Sequence, residues 1–344
     1  MMIPRLQGLS VALRIIVIAT GWLCLISVLH ATLNGEKQGP RKVLMGYMPV
    51  VANLAAPIVD AMSKERDVHF EALKFGSFAE MAEAFRSKHI QAAFIIAPLA
   101  IALYQQGVPL KVVYIGNRHE STLVMKDGRD PKDLGGLSDK TIAVPIRYSG
   151  HLLALKRYLR LKGLDPQSIR LVEVPPPDMH VALTTGSIDG YFVGEPFASK
   201  SLKSGDARRF LDVEAIWPKF ICNLMIVRAE LIADRPEWVQ DVVAAAARSG
   251  LWAQTHIDEA VQLASRYWGQ DPEIVRLAFT EPPGRIRFDL YMPVREELEE
   301  IGHEMQLAGL LQGHVDFTGM VDDRFARRVE PEEVQSLAGI FPGR

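Results

Sequence analysis

A chain of 344 residues, 48% hydrophobic and 23% charged, with a formal net charge of -2, is long enough for two lobes with separate cores. The near-neutral balance excludes a basic nucleic-acid surface, and no acidic tail or low-complexity tract appears. The only two cysteines are Cys24, inside an apolar segment, and Cys222. A disulfide scaffold is excluded, and export remains compatible with a chain that needs no oxidation.

Arg5 and Arg14 flank the continuous apolar run from Ile15 to Leu29. Residues 1–33 therefore read as a signal peptide or a membrane anchor, the anchor drawn from residues 9–31. The run alone falls short of the ~20 residues that span a bilayer, and lengthening it back to Leu9 buries Arg14. Ala31 suits a position before a cleavage point, whereas Leu29 is large where a small residue is usual. Gly21-Trp-Leu-Cys24 does not match a lipoprotein box. Residues 34–42 are polar and rich in turn formers, a linker.

Strand and helix patterns then alternate. Val43–Tyr47 is a strand, and Leu54–Lys64 an amphipathic helix with Pro57 in its first turn. His69–Leu73 is a strand. Ser77 caps a helix to Ser87, with Glu80 in capping-box register. Ala92–Ile96 is a strand closed by Ala97-Pro98, and a helix follows to Gln106. Val112–Ile115 and Thr122–Met125 are strands, and 127–139 is a loop rich in Gly, Asp and Pro. A second set follows: strand Thr141–Val144, helix His151–Lys162, strand Arg170–Val174, helix Asp178–Thr185, strand Gly190–Val193. Beyond residue 230 the chain is helical over 236–255, 257–268 and 290–311. The alternation predicts mainly parallel sheets flanked by helices, an α/β fold.

Enzymatic signatures are scarce. No phosphate loop, nucleophile elbow or His-Glu-x-x-His occurs, and nine histidines are scattered singly without metal-ligand spacing. A binding module, not an enzyme, is the expectation, with no metal and no cofactor. Ligands of open α/β sheets sit beyond the carboxyl ends of strands, so the turns after the strands are the candidates. After the first strand come Tyr47, an aromatic wall, and Asn53, an amide near a helix start. After the third comes Ala97-Pro98. Ser121 and Thr122 begin the fifth; Thr122 is retained as a hydroxyl donor and Ser121 reads as an ordinary turn. In Pro145-Ile-Arg-Tyr-Ser-Gly-His151, a helix start favours an anion: Ser149 offers a hydroxyl, His151 an imidazole and Arg147 a bidentate fork. In Tyr191-Phe-Val-Gly-Glu-Pro196, Gly194 lets backbone N–H groups approach a small anion. Glu195 there admits several roles: repelling anions, hydrogen-bonding a protonated ligand, binding a cation beside the anion, or latching the closed lobes.

Val174-Pro-Pro-Pro-Asp-Met179, Gly186-Ser-Ile-Asp-Gly-Tyr-Phe-Val-Gly-Glu-Pro196 and Lys132-Asp-Leu-Gly-Gly-Leu-Ser-Asp-Lys-Thr-Ile-Ala-Val144 resemble the substrate-binding proteins of ABC importers for nitrate, sulfonate, taurine and bicarbonate, nearest in wording to the nitrate and bicarbonate branch. The resemblance covers residues 43–328. It implies a two-lobed periplasmic binding protein of type II, with the ligand cleft between the lobes. Lobe 1 would take residues 43–137 and, returning, the helical 231–328; lobe 2 would take 138–230, and 329–344 would form a tail. Val315–Phe325 looks like the final docking segment. His151 lies where the nitrate-binding relatives carry a histidine near their ligand, and Lys219, in Trp217-Pro-Lys-Phe220, near their Trp-Lys pair. The intervening Pro218 and the alanine at 97, where relatives place a hydroxyl, depart from that pattern. Bicarbonate-binding relatives hold calcium, but a single carboxylate is too little for an ion that takes ~6–8 oxygens.

The expected function is capture of nitrate, bicarbonate or a taurine-like sulfonate outside the inner membrane, by a monomer that delivers it to ABC permease subunits. The alternatives are a membrane-tethered sensor and, with a family enzyme's cysteine-rich motif missing, a thiamine-pyrimidine synthase-like enzyme.

Overall fold

The computed structural model describes residues 10–33, 41–126, 134–313, 315–330 and 334–341. The linker residues 34–40 and the loop residues 127–133 lie outside them. Two compact units result, divided after Arg41.

The first unit holds one helix, Val11–Leu33. It starts four residues before the apolar run and takes in Arg14, so its apolar stretch Val11–Leu29 is long and apolar enough to cross a membrane. Ile15, Trp22 and Leu23 are each more than 60% exposed, as expected of a segment with no core of its own to cover it.

The second unit contains two five-stranded sheets. Its strands are β1 (Arg41–Tyr47), β2 (Val68–Lys74), β3 (Ala92–Ile96), β4 (Leu110–Ile115), β5 (Ser121–Lys126), β6 (Thr141–Val144), β7 (Arg170–Glu173), β8 (Gly190–Gly194), β9 (Ala207–Asp212) and β10 (Asn223–Arg228). The first sheet runs β2, β1, β3, β10, β4, and the second β7, β6, β8, β5, β9. Central strands β3, β8 and β10 are buried along their whole length, which is why their apolar residues run on without polar alternation. Helices cover the sheets; Ser77 caps Phe78–Arg86 by accepting from Glu80 N at 3.2 Å, as its capping-box spacing predicted.

The sheets are mixed rather than mainly parallel. β1–β3, β6–β7 and β6–β8 are parallel. By contrast, β10 is antiparallel to β3 and β4, and β5 to β8 and β9. The reason is topological. β5 and β10 are the first strands after the chain changes lobes, so each enters its sheet from the cleft edge and runs away from it. Sheet membership also places the lobe crossings at 116–120 and 213–222, not near residues 137 and 230 as expected: β5 belongs to the second sheet and β10 to the first. Arg118 joins the crossings through bridges to Ile221 and to Arg287.

Helices Pro236–Thr255 and Ile257–Trp268 return to the first lobe, packing with Val43, Met45 and Phe94 in one core. The stretch after residue 314 docks there too, with Val112 N donating to Met320 O and Asp322 N to Val112 O. Within the expected tail, Val334, Ile340 and Phe341 are buried in that core, and Phe341 stacks on Phe70 at 6.1 Å.

Candidate functional site

The carboxyl ends of β1, β3, β6 and β8 and both crossings converge between the lobes. The loop after β1 reaches across: Val51 N donates to Glu195 O at 2.8 Å, and Ala52 N to Glu120 Oε2 at 3.2 Å. Close approach is enforced by glycine at two points. A Cβ on Gly116 would lie 2.0 Å from Ala52 O, and one on Gly194 would lie 2.6 Å from Glu120 Oε1. His119 and Glu120, at φ 74° and 61°, both adopt the left-handed conformation that non-glycine residues rarely take. Such strain gathers at functional sites.

His151 opens the helix Gly150–Leu161, whose cap Ser149 accepts from Leu152 N at 3.3 Å. The imidazole is buried; Nε2 shares a hydrogen bond with Ser121 Oγ at 2.9 Å, and the ring meets Phe192 edge-on at 5.3 Å. Burial lowers its pKa to about 3, so the ring is neutral. Ser121 Oγ lies 3.6 Å from Cys222 Sγ, a partnered position rather than an ordinary turn.

Glu195 is fully buried. Its Oε2 accepts from Ser199 N at 2.8 Å and its Oε1 from Thr122 Oγ1 at 3.3 Å. Arg285 stands behind it, Nη1 at 3.8 Å from Glu195 Oε1 and 2.7 Å from Thr122 Oγ1. The same guanidinium reaches Glu214 at 2.8 Å and Asp212 at 3.2 Å. Glu120 is equally buried, paired to Glu195 by the Glu195 N to Glu120 O bond of 3.0 Å. Burial pushes the Glu120 carboxyl well above the usual range, and it also raises Glu195 and Cys222. Both amide atoms of Asn117 and His151 Nδ1 are buried with no hydrogen-bond partner among the described residues, while Glu120 has the Cys222 thiol beside it and the Ser199 hydroxyl faces Glu195. Buried polar groups left unpaired cost ~1–3 kcal/mol each.

Of the residues singled out in the sequence, Thr122, Ser149, His151, Gly194 and Glu195 are thus brought to one place. Others are not. Tyr47 turns into the first-lobe core, its hydroxyl 3.5 Å from Tyr267 O. Asn53 is a structural tie, donating to Met48 O at 3.0 Å and accepting from Asn223 Nδ2 at 2.7 Å. Pro98 lies in the first turn of the buried helix Ala97–Gln105. Arg147 is exposed, its guanidinium over the Tyr148 ring at 5.2 Å. Lys219 is exposed at φ 62° and its carbonyl accepts from Arg118 Nη1 at 2.7 Å. It lines a groove of about 240 Å³ beside Glu296, Glu297 and Glu300. Asn117, Glu120 and Arg285 were missed as site residues. The available signal was the polar run Asn117-Arg-His-Glu120 between two apolar strands.

Among the described residues, no group of three or more His, Cys, Asp or Glu side chains is placed to hold a metal ion.

The taurine-binding periplasmic protein of Escherichia coli (strain K12) is 27% identical to this chain over 256 residues, 70% of this chain and 75% of that protein. The crystal structure of the periplasmic nitrate-binding protein NrtA from Synechocystis PCC 6803 superposes with a TM-score of 0.75 at 15% identity, covering 83% of this chain and 87% of that one. The alkanesulfonate-binding protein SsuA from Xanthomonas axonopodis pv. citri, bound to MOPS, gives 0.72 at 16% identity, covering 83% and 99%. These likenesses are of fold, and the fold is that of two-lobed periplasmic binding proteins. A model of the NMT1-like family matches residues 36–266, more than half of the sequence, and the chain belongs to that family.

Proposed function

We propose that this protein is an extracytoplasmic solute-binding component of an ABC importer that captures a small oxyanion or sulfonate between its lobes. One observation carries the reading: turns from both lobes and the first crossing meet at buried polar side chains, Glu120, Ser121, His151 and Glu195, and His151 Nδ1 there has no partner among the described residues. Ligand binding would engage them and hold the lobes together, the closure by which such proteins present solute to a permease. A neutral His151, the Ser121 hydroxyl and the Asn117 amide suit a ligand read by shape and hydrogen-bond count rather than by a free cation. The relatives named as taurine-, nitrate- and alkanesulfonate-binding proteins support the ligand class.

The helix Val11–Leu33 favours tethering to the inner membrane, whether the chain serves an importer or a sensor. The test is titration calorimetry of the full-length chain in detergent against nitrate, nitrite, bicarbonate, taurine, ethanesulfonate and hydroxymethylpyrimidine. Binding of an oxyanion or sulfonate, weakened by His151→Ala, supports the reading. Heat from the pyrimidine alone would replace the ligand class and keep the binding role.

A further inference from the structure

We propose that Glu120 works as a neutral carboxylic acid whose Oε1 hydroxyl recognises the oxyanion in the cleft, so that the anion binds together with a proton. The inference rests on the oxyanion reading above and assigns within it the residue that sets specificity.

Two buried carboxyl groups stand directly opposite each other just beyond the paired ends of β5 and β8, where Ser121 pairs with Gly194 and Glu195 N donates to Glu120 O. Two such neighbours do not both ionise readily; a shared proton goes to the one whose charge is less well solvated. Glu195 has Ser199 N–H on one oxygen, Arg285 at 3.8 Å from the other, and at 3.3 Å the Thr122 hydroxyl, whose one proton it shares with Asp212 Oδ1 at 3.1 Å. Glu120 has a single N–H, from Ala52, on Oε2. Its Oε1 has no N–H or O–H partner among the described residues, only the weakly donating Cys222 thiol beside it, and packs where a side chain on Gly194 would sit. The proton therefore resides on Glu120.

The groups that face Glu120 come from every element packed against it. Burial and the Glu195 charge hold the proton on. The Cys222 thiol, the Arg285 guanidinium and Ala52 N–H oppose them, and burial wins. The neutral His151, bonded to the neighbouring Ser121, adds no charge. A carboxylic acid kept neutral in this way is a hydrogen-bond donor, where a carboxylate would repel an anion. Asn117 Nδ2, on the same crossing, is a second donor without a partner. Arg285 is already engaged by Asp212, Glu214, Thr122 and Ser121, so neutral donors would carry the recognition.

The sign follows directly. Below the pKa of Glu120 in the folded protein the donor is present and anion affinity is flat. Above it, affinity falls up to tenfold per pH unit. Glu120→Gln replaces the hydroxyl with an amide donor that does not titrate.

Nitrate and ethanesulfonate are titrated into the full-length chain in detergent between pH 5.5 and 9, wild type and Glu120→Gln, with circular dichroism to verify folding. The expected result is an affinity that declines at the alkaline end in the wild type and stays level in Glu120→Gln. Infrared difference spectra supply a readout independent of any ligand: a protonated-carboxyl band at pH 7 that Glu120→Gln removes. Anion binding that ignores pH, or an absent carboxyl band, overturns the role of Glu120 and leaves the binding reading intact. No binding by either anion at any pH, in either protein, overturns the oxyanion reading and with it this proposal.

Discussion

Two buried carboxylates of this molecule have opposite surroundings. Asp60, on the helix Ala55–Ser63 in the first lobe, meets His69 Nε2 with one oxygen and the Tyr267 hydroxyl with the other, both at 2.6 Å. Glu120, between the lobes, has one N–H on one oxygen and no N–H or O–H on the other, only the Cys222 thiol beside it. Both side chains are buried, so burial does not distinguish scaffold from site. Satisfaction does. A carboxylate with both oxygens occupied locks elements together, whereas a half-satisfied one stores a demand that an incoming solute would meet.

The largest effect should come from breaking the satisfied member. Asp60→Ala strands His69 and the Tyr267 hydroxyl in a buried setting and should cost about 3–5 kcal/mol, read as a lower urea midpoint. Glu120→Gln, which keeps shape and a donor, should cost under ~1 kcal/mol. Equal losses in the two variants would erase the comparison.

Acid probes the same contrast through His151. Its folded pKa of about 3 lies below the ordinary 6.5, so the unfolded chain binds more protons between those values. The stability this neutral ring contributes is complete above pH 6.5 and is lost as pH falls toward 3, on the order of 3 kcal/mol by pH 4. His151→Gln should flatten that part of the stability profile. An unchanged acid limb would place the sensitivity elsewhere.

Gly194→Ala pushes a methyl group to within 2.6 Å of Glu120 Oε1. An overpacked core typically loses ~1–3 kcal/mol, and here ligand affinity should fall with it, because Glu120 must shift. A variant that melts lower yet binds as before would separate packing from recognition. The smallest effect is expected at the rim of the lobe seam, where Lys203 pairs with Glu273 and Asp271. Exposed pairs contribute ~0.2–1 kcal/mol, less at high salt, so Lys203→Ala should barely move the melting point in 0.5 M salt.

How much of this was legible follows from which interactions are local. β3, β6 and β8 were readable because uninterrupted apolar runs such as Ala92–Ile96 need no partner to be recognised. Ser77 and Glu80 announced their helix by spacing alone. β9 was missed because Arg208 and Arg209 interrupt a short strand at the sheet edge, with mostly part-buried residues. β10 was missed because Asn223 and Arg228, polar in sequence, are buried by partners on distant segments, Asn53 and Phe85. His151, Gly194 and Glu195 were visible as a helix start and a glycine turn. Glu120 was not, because its meaning depends on Ala52 and Gly194, which only the lobe crossing brings beside it.

The glycine at 116 has a mechanical consequence. Its missing Cβ lets the first crossing lie directly against the carbonyl of Ala52, the residue whose N–H holds Glu120. The bending element and the sensing loop are therefore one part rather than two linked parts, and a rotation that opens the lobes pulls on the bond that reads the solute. In the proposed binding role, affinity and opening rate would then share a single spring, and a substitution at this contact would be expected to retune both.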